Sequence, residues 1–168
     1  MSIVKLIGET GLFASLDEPR LKRVADMSRV RFFPAGAQVF REGDALSELY
    51  LLERGSVKLT TGVRLWNGDA TLRSIVSVIE PYGSFGWSAL IDPYRATLSA
   101  ETARECTVVA IDAASLREEM DRDCELGYSV MKALSTLIGD RLRRIQGVWM
   151  SAKAEDLYTA PLKQAVYG

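Results

Sequence analysis

The residues of this chain best suited to chemistry lie between positions 83 and 97. They read Gly83-Ser84-Phe85-Gly86-Trp87-Ser88-Ala89-Leu90-Ile91, then Arg95-Ala96-Thr97. Two glycines open a short apolar turn of helix, and an arginine and a hydroxyl residue come after it within one loop. Backbone N–H groups at such a turn, with a guanidinium beside them, can surround a phosphate. The candidate binding residues are Gly86, Trp87, Ser88, Ala89, Leu90, Arg95, Ala96 and Thr97. The indole of Trp87 donates a hydrogen bond but accepts none. The competing structural explanation is that Gly86, Trp87 and Leu90 close one end of a β-structure, with the aromatic ring filling its pocket.

Other chemistries are poorly supported. The 168 residues contain no histidine, which removes Ser-His-Asp and Cys-His catalysis and the commonest metal ligand. Cys106 and Cys124 form neither a CxxC pair nor a zinc spacing. With no nucleophile–base pair, metal cluster or phosphate-transfer motif in view, an enzyme is not expected. A net charge of −1 gives no reason to expect nucleic acid as a partner. No apolar run is long enough to cross a bilayer and no basic leader precedes an apolar stretch, so a cytoplasmic protein without membrane contact is expected.

The elements around the motif are set by local pattern. Asp17 suits an N-cap, with Glu18 and Pro19 in the first turn and Leu21, Val24 and Ala25 at helical spacing. Pro34-Ala35-Gly36 breaks that pattern. Short apolar runs then predict strands over Val30–Phe33, Gln38–Phe40, Glu48–Leu52, Val57–Thr61, Leu72–Ile79, Ala96–Ala100 and Thr107–Ile111. Gly36, Gly43, Gly55 and Gly83 fall between them, and Asn67-Gly68 is a hairpin signal. Many short strands at this spacing point to a barrel, roll or sandwich.

After Asp112, which caps a short helix carrying Leu116 and Met120, a longer helix is predicted from about Glu125 to about Ala152. Met131, Leu134, Ile138, Arg141, Ile145, Val148 and Ala152 alternate three and four apart, a heptad seam with one polar interruption. Val130, Leu137, Leu142 and Trp149 form a second apolar line. One line can cover the chain's own β-structure while the other meets a second copy, so a parallel homodimer is expected through this helix. Residues 153–168 read as a tail or a short docking segment.

Helix, glycine-punctuated roll and long helix together resemble the cyclic nucleotide-binding domain family. That family includes the effector domains of the catabolite activator protein and its relatives, kinase regulatory subunits and gated channels. The resemblance starts at Leu12-Phe13-Ala14-Ser15-Leu16 and runs through Phe33-Pro34-Ala35-Gly36 to Gly43-Asp44. It continues in Leu49-Tyr50-Leu51-Leu52-Glu53-Arg54-Gly55-Ser56-Val57, Phe85-Gly86 and Arg95-Ala96-Thr97, covering nearly everything from Leu12 to Val148. It implies a mainly β fold: an antiparallel, jelly-roll-like β-roll over about 30–112, an N-terminal helix and a long C-terminal helix over about 125–152. Residues 1–152 form one domain on this reading.

The resemblance also implies a phosphate-binding cassette at Gly86–Thr97, with Arg95 as the ionic partner and a ligand such as cAMP or cGMP. Two departures stand out. Trp87 occupies the place of the glutamate that accepts from the ribose hydroxyl, and a hydroxyl left unpaired in a buried site costs about 1–3 kcal/mol. The stretch from Ile91 to Thr97 is also short for a cassette, which can put Tyr94 in the arginine's slot. The chain therefore reads as a stand-alone sensory or regulatory module answering to a small ligand, cyclic nucleotide or another anionic or apolar molecule, or to a partner protein. The alternative is an interaction homodimer with a degenerate pocket that binds no nucleotide. The stretch after Ala152 is too short for a helix-turn-helix, so direct DNA binding is not expected.

Overall fold

In a computed structural model the described residues are 2–64, 71–143 and 146. The chain divides into two compact units, residues 1–133 and 134–168. The first holds two short helices, α1 (Ile3–Glu9) and α2 (Glu18–Asp26), and then the β-structure. Asp17 caps α2 as expected, its side chain accepting from Arg20 N, with a proline in the first turn. Helix α1 has Ser2 at its N-cap, but the side chain makes no capping hydrogen bond.

Eight strands are described: β1 (Ser28–Phe33), β2 (Gln38–Phe40), β3 (Glu48–Arg54), β4 (Val57–Arg64), β5 (Thr71–Ile79), β6 (Ser84–Phe85), β7 (Ser99–Thr102) and β8 (Cys106–Asp112). They form two antiparallel four-stranded sheets, in the orders β1-β8-β3-β6 and β2-β7-β4-β5. This is the roll the sequence implied, spanning 28–112. One strand differs. Ala96–Ala100 was expected to start a strand at Ala96, but the ladder to β4 begins at Ser99, opposite Thr60. Ala96 instead pairs its backbone with the 43–44 corner, donating to the Asp44 carbonyl and accepting from Gly43 N–H, both at 2.8 Å. The Asn67-Gly68 turn lies outside the described residues, although β4 and β5 pair from Val57↔Ile79 to Arg64↔Thr71.

Leu49, Leu51, Val109 and Ile111 are fully buried on one face of the first sheet. On the other face Tyr50 stacks on Phe85, with ring centroids 5.0 Å apart, and on Phe40 at 6.0 Å. Phe40 belongs to the second sheet, so the Tyr50 face looks into the space between the sheets. Gly55 shows why glycine closes the β3–β4 corner: its φ is +97°, and a Cβ there would lie 2.4 Å from the Glu105 carbonyl oxygen.

Asp112 caps α3 (Ala113–Arg122) by accepting from Ser115 N at 2.8 Å. Residues 124–143 are helical and form α4. Arg20 bonds Asp123 at 2.9 Å and Glu125 at 2.5 Å, while Arg23 reaches Asp123 and Glu119, so α2 is latched to the α3–α4 junction. On α4, Leu126, Val130 and Leu134 are buried, whereas Tyr128, Met131 and Leu142 are exposed. Of the expected heptad seam, Leu134 is buried and Met131 exposed. Ile145, Val148, Trp149 and Ala152, and the tail from 153, lie outside the described residues.

Candidate functional site

β6 sets the direction of the site. Ser84 and Phe85 pair with Leu51 and Tyr50 of β3. Gly86 then turns the chain with φ +75°. A Cβ at Gly86 would sit 3.0 Å from the Tyr50 ring and 3.2 Å from the Glu48 carbonyl oxygen, so the positive φ favours glycine and the tight space adds to that preference.

Trp87–Leu90 form one turn of 3₁₀ helix directly after it. Ala89 N–H donates to the Gly86 carbonyl at 3.0 Å, and Ile91 N–H to the Ser88 carbonyl at 3.2 Å. The N–H group of Ser88 precedes the first of these bonds, as at any helix start. Ser88, Ala89 and Leu90 are buried and Trp87 is half-buried. The sequence-predicted turn is thus present, with its helix beginning at the residue after Gly86.

The rest of the motif faces elsewhere. After a cis Asp92-Pro93 bond, Tyr94 takes φ +57°. Its ring lies under the Arg117 guanidinium, 4.1 Å from the centroid, and Arg117 Nη1 also donates to the Ala89 carbonyl. One arginine of α3 therefore holds both the turn, at Ala89, and the loop that follows it, at Tyr94. Arg95 is exposed and donates from Nη1 to the Gly43 carbonyl at 2.8 Å, and Ala45 bridges Arg95. Leu46 N–H donates to the Tyr94 carbonyl at 2.8 Å. Residues 94–96 are zipped onto the 43–46 corner, Ala96 is buried and Thr97 is exposed.

Sequence reasoning missed the polar cluster beside the turn. The Glu48 carboxylate accepts from Arg29 Nε at 3.0 Å and Nη2 at 2.5 Å, from Arg31 Nη1 at 2.6 Å and from Tyr50 Oη at 2.9 Å. Burial pushes the Glu48 pKa up, but the hydrogen bonds from Tyr50 and Arg29 and the charges of Arg31 and Arg29 outweigh it and hold the carboxyl below its ordinary range. Burial, reinforced by the Glu48 carboxylate, holds the Tyr50 phenol well above its ordinary range. The available signal was the two-residue spacing of Arg29 with Arg31 and of Glu48 with Tyr50, which puts each pair on one strand face. Among the described residues no His/Cys/Asp/Glu group is arranged to hold a metal ion, and no helix is long and apolar enough to cross a membrane. Burial raises the pKa of the Cys106 thiol, as expected for an inert cysteine.

Comparison with known proteins agrees with this architecture. Residues 30–123 match the cyclic nucleotide-binding domain family. The chain is 28% identical over 140 residues to a CRP-like cAMP-activated global transcriptional regulator of Mycobacterium tuberculosis, a match covering 83% of this chain and 58% of the regulator. It is 24% identical over 160 residues to mouse cGMP-dependent protein kinase 2, covering 92% of this chain and 20% of the kinase. A crystal structure from Geobacter metallireducens, described as a cyclic nucleotide-binding protein, superposes with a TM-score of 0.70 at 31% identity, covering 84% of this chain and 99% of that one.

Proposed function

The chain belongs to the cyclic nucleotide-binding domain family, and on that premise we propose that it is a ligand-sensing regulatory module whose site is built on the Gly86–Leu90 turn and whose output runs through α3 into α4. It senses and does not catalyse. Arg117 carries this reading. It holds the Ala89 carbonyl and the Tyr94 ring from α3. A ligand that draws in the Ser88 amide must shift the same turn, and the strain passes to the helix that leads into α4. The M. tuberculosis relative is activated by cAMP by its description. Here Trp87 offers no acceptor for a ribose hydroxyl and Arg95 is bonded to Gly43. The ligand is then a small molecule that does not depend on those two contacts, cAMP or cGMP binding only weakly. A homodimer through α4 and a partner protein in the cytoplasm complete the proposal, the exposed Tyr128, Met131 and Leu142 being the apolar positions left for them.

A second reading rests on the Phe40–Tyr50–Phe85 stack, which occupies the space between the sheets beside Gly86. With Trp87 added, it favours a filled pocket and a dimeric interaction module. Thermal melts with cAMP, cGMP and a metabolite panel separate the two. A bound ligand at a hundred times its Kd adds about 2.7 kcal/mol and raises the midpoint. No shift with any compound, together with capture of one specific partner, favours the filled pocket.

A further inference from the structure

The roll presents a positive cluster that the cassette reading does not use. In register, Arg29 lies opposite Ala110, which in turn lies opposite Tyr50, and Arg31 lies opposite Val108 and then Leu52. Residues directly opposite share a face. Arg29 and Arg31 are therefore on the Tyr50 face, the one turned toward the second sheet. The small side chain of Ala110 leaves room for Arg29 to reach across to Glu48.

Two guanidiniums here share one carboxylate. Arg29 directs Nε and Nη2 to Oε1, and Arg31 directs Nη1 to Oε2. Arg29 Nη1 and the Nε and Nη2 of Arg31 have no acceptor among the described residues. The remaining carboxylate on this face is Asp112, opposite Glu48. It is engaged in capping α3 and is flanked by Arg117 as well as Arg29. One positive charge is left over, with unused planar donors, and the arginine side chains are 72% and 38% exposed while Glu48 is 8% exposed. That is a fork held open by a buried anchor, suited to an anion with two acceptor oxygens.

We propose that Arg29 and Arg31 form an anion-binding subsite on the inner face of β1, taking the phosphoryl or carboxylate group of a small ligand, with Glu48 as the positioning residue. The proposal rests on the reading that this roll takes a small ligand, and it supplies the ionic partner that Arg95, bonded to Gly43, does not offer.

Inorganic phosphate is the probe, titrated at constant ionic strength against chloride, with the melting midpoint and intrinsic fluorescence as readouts. Phosphate stabilises proteins generally as an excluded salt, so only the saturable part of the response is scored. The expected result is a saturable response in the wild type and in Arg95→Gln, weakened about tenfold or more in Arg29→Gln and in Arg31→Gln. Arg31→Lys keeps the charge and loses the fork, giving an intermediate affinity and a check should Arg31→Gln fold poorly. Absence of a saturable response in the wild type overturns the subsite. So does a response that survives in Arg29→Gln and Arg31→Gln but disappears in Arg95→Gln, a result that leaves the ligand-sensing reading intact with its anion at residue 95. A phosphate response that maps to Arg29 and Arg31, while every nucleotide and metabolite leaves the protein unchanged, keeps the subsite and removes the sensing reading.

Discussion

Replacing Glu48 by Gln keeps the shape of the side chain and removes the charge on which two arginines and a tyrosine converge. The wild-type carboxylate is 8% exposed and accepts four hydrogen bonds, three of them from guanidinium nitrogens. Glutamine offers a single acceptor oxygen and turns an N–H₂ donor toward the guanidiniums. Breaking a buried ion pair costs about 3–5 kcal/mol. Here the arginine side chains are 72% and 38% exposed, so water screens much of their charge. The expected cost is therefore lower, about 2 kcal/mol. For a chain of this size that is a fall in Tm of about 4–8 °C.

The effect also has a pH signature. The folded Glu48 pKa lies below its ordinary value of 4.5. A depressed folded pKa gives stability that is complete above the unfolded value and is lost as pH falls through the folded one. Calorimetric melts of wild type and Glu48→Gln should differ fully at pH 7 and converge in acid below pH 4.5. A midpoint change under about 1 °C at neutral pH, or a difference that persists undiminished in acid, refutes the reasoning.

Gly86→Ala adds a Cβ 3.0 Å from the Tyr50 ring at φ +75°, and urea unfolding should show a loss of about 1–3 kcal/mol with any ligand response gone. Arg117→Ala removes the clamp on Ala89 and Tyr94; the chain should lose about 1–2 kcal/mol, and amide hydrogen exchange should rise in residues 87–95. Ile138→Glu combined with Ile145→Glu places repelling charges in the expected dimer seam, and sedimentation should report the monomer; an unchanged sedimentation coefficient removes the dimer. Asp123 is held down to about 2, first by the hydrogen bond from Arg20 and then by Leu126 N–H. Its share of stability is present above pH 3.8 and fades as pH falls toward 2, which acid unfolding of wild type against Asp123→Asn can track.

The features legible in sequence were those decided locally. Asp17 and Asp112 are caps because each has a carboxylate three residues before a helical N–H. Gly86 is at its corner because a φ of +75° and the close Tyr50 ring and Glu48 carbonyl oxygen disfavour any side chain there. The misses were decided by distant partners. Helix α1 has a Ser2 N-cap whose side chain makes no capping bond, and β6 is too short to show alternation. Ala96 has strand-like neighbours, but the 43–44 corner takes its backbone bonds before the ladder begins. Arg29 and Arg31 look like solvent-facing charges on an edge strand. Only the register across β8 shows that they share the inner face with Glu48 and Tyr50. The chemistry of the site was read from one contiguous motif, while the charged groups around it come from β1, β3 and α3.

The most direct test of a ligand-sensing turn is an electron-density map of protein taken straight from cells, inspected between Trp87–Leu90 and the Phe40–Tyr50–Phe85 stack. The expected result is density for one small molecule against the Ser88 amide. A map in which the Trp87 indole itself packs onto that stack, with no space left and no added density in any preparation, would contradict it.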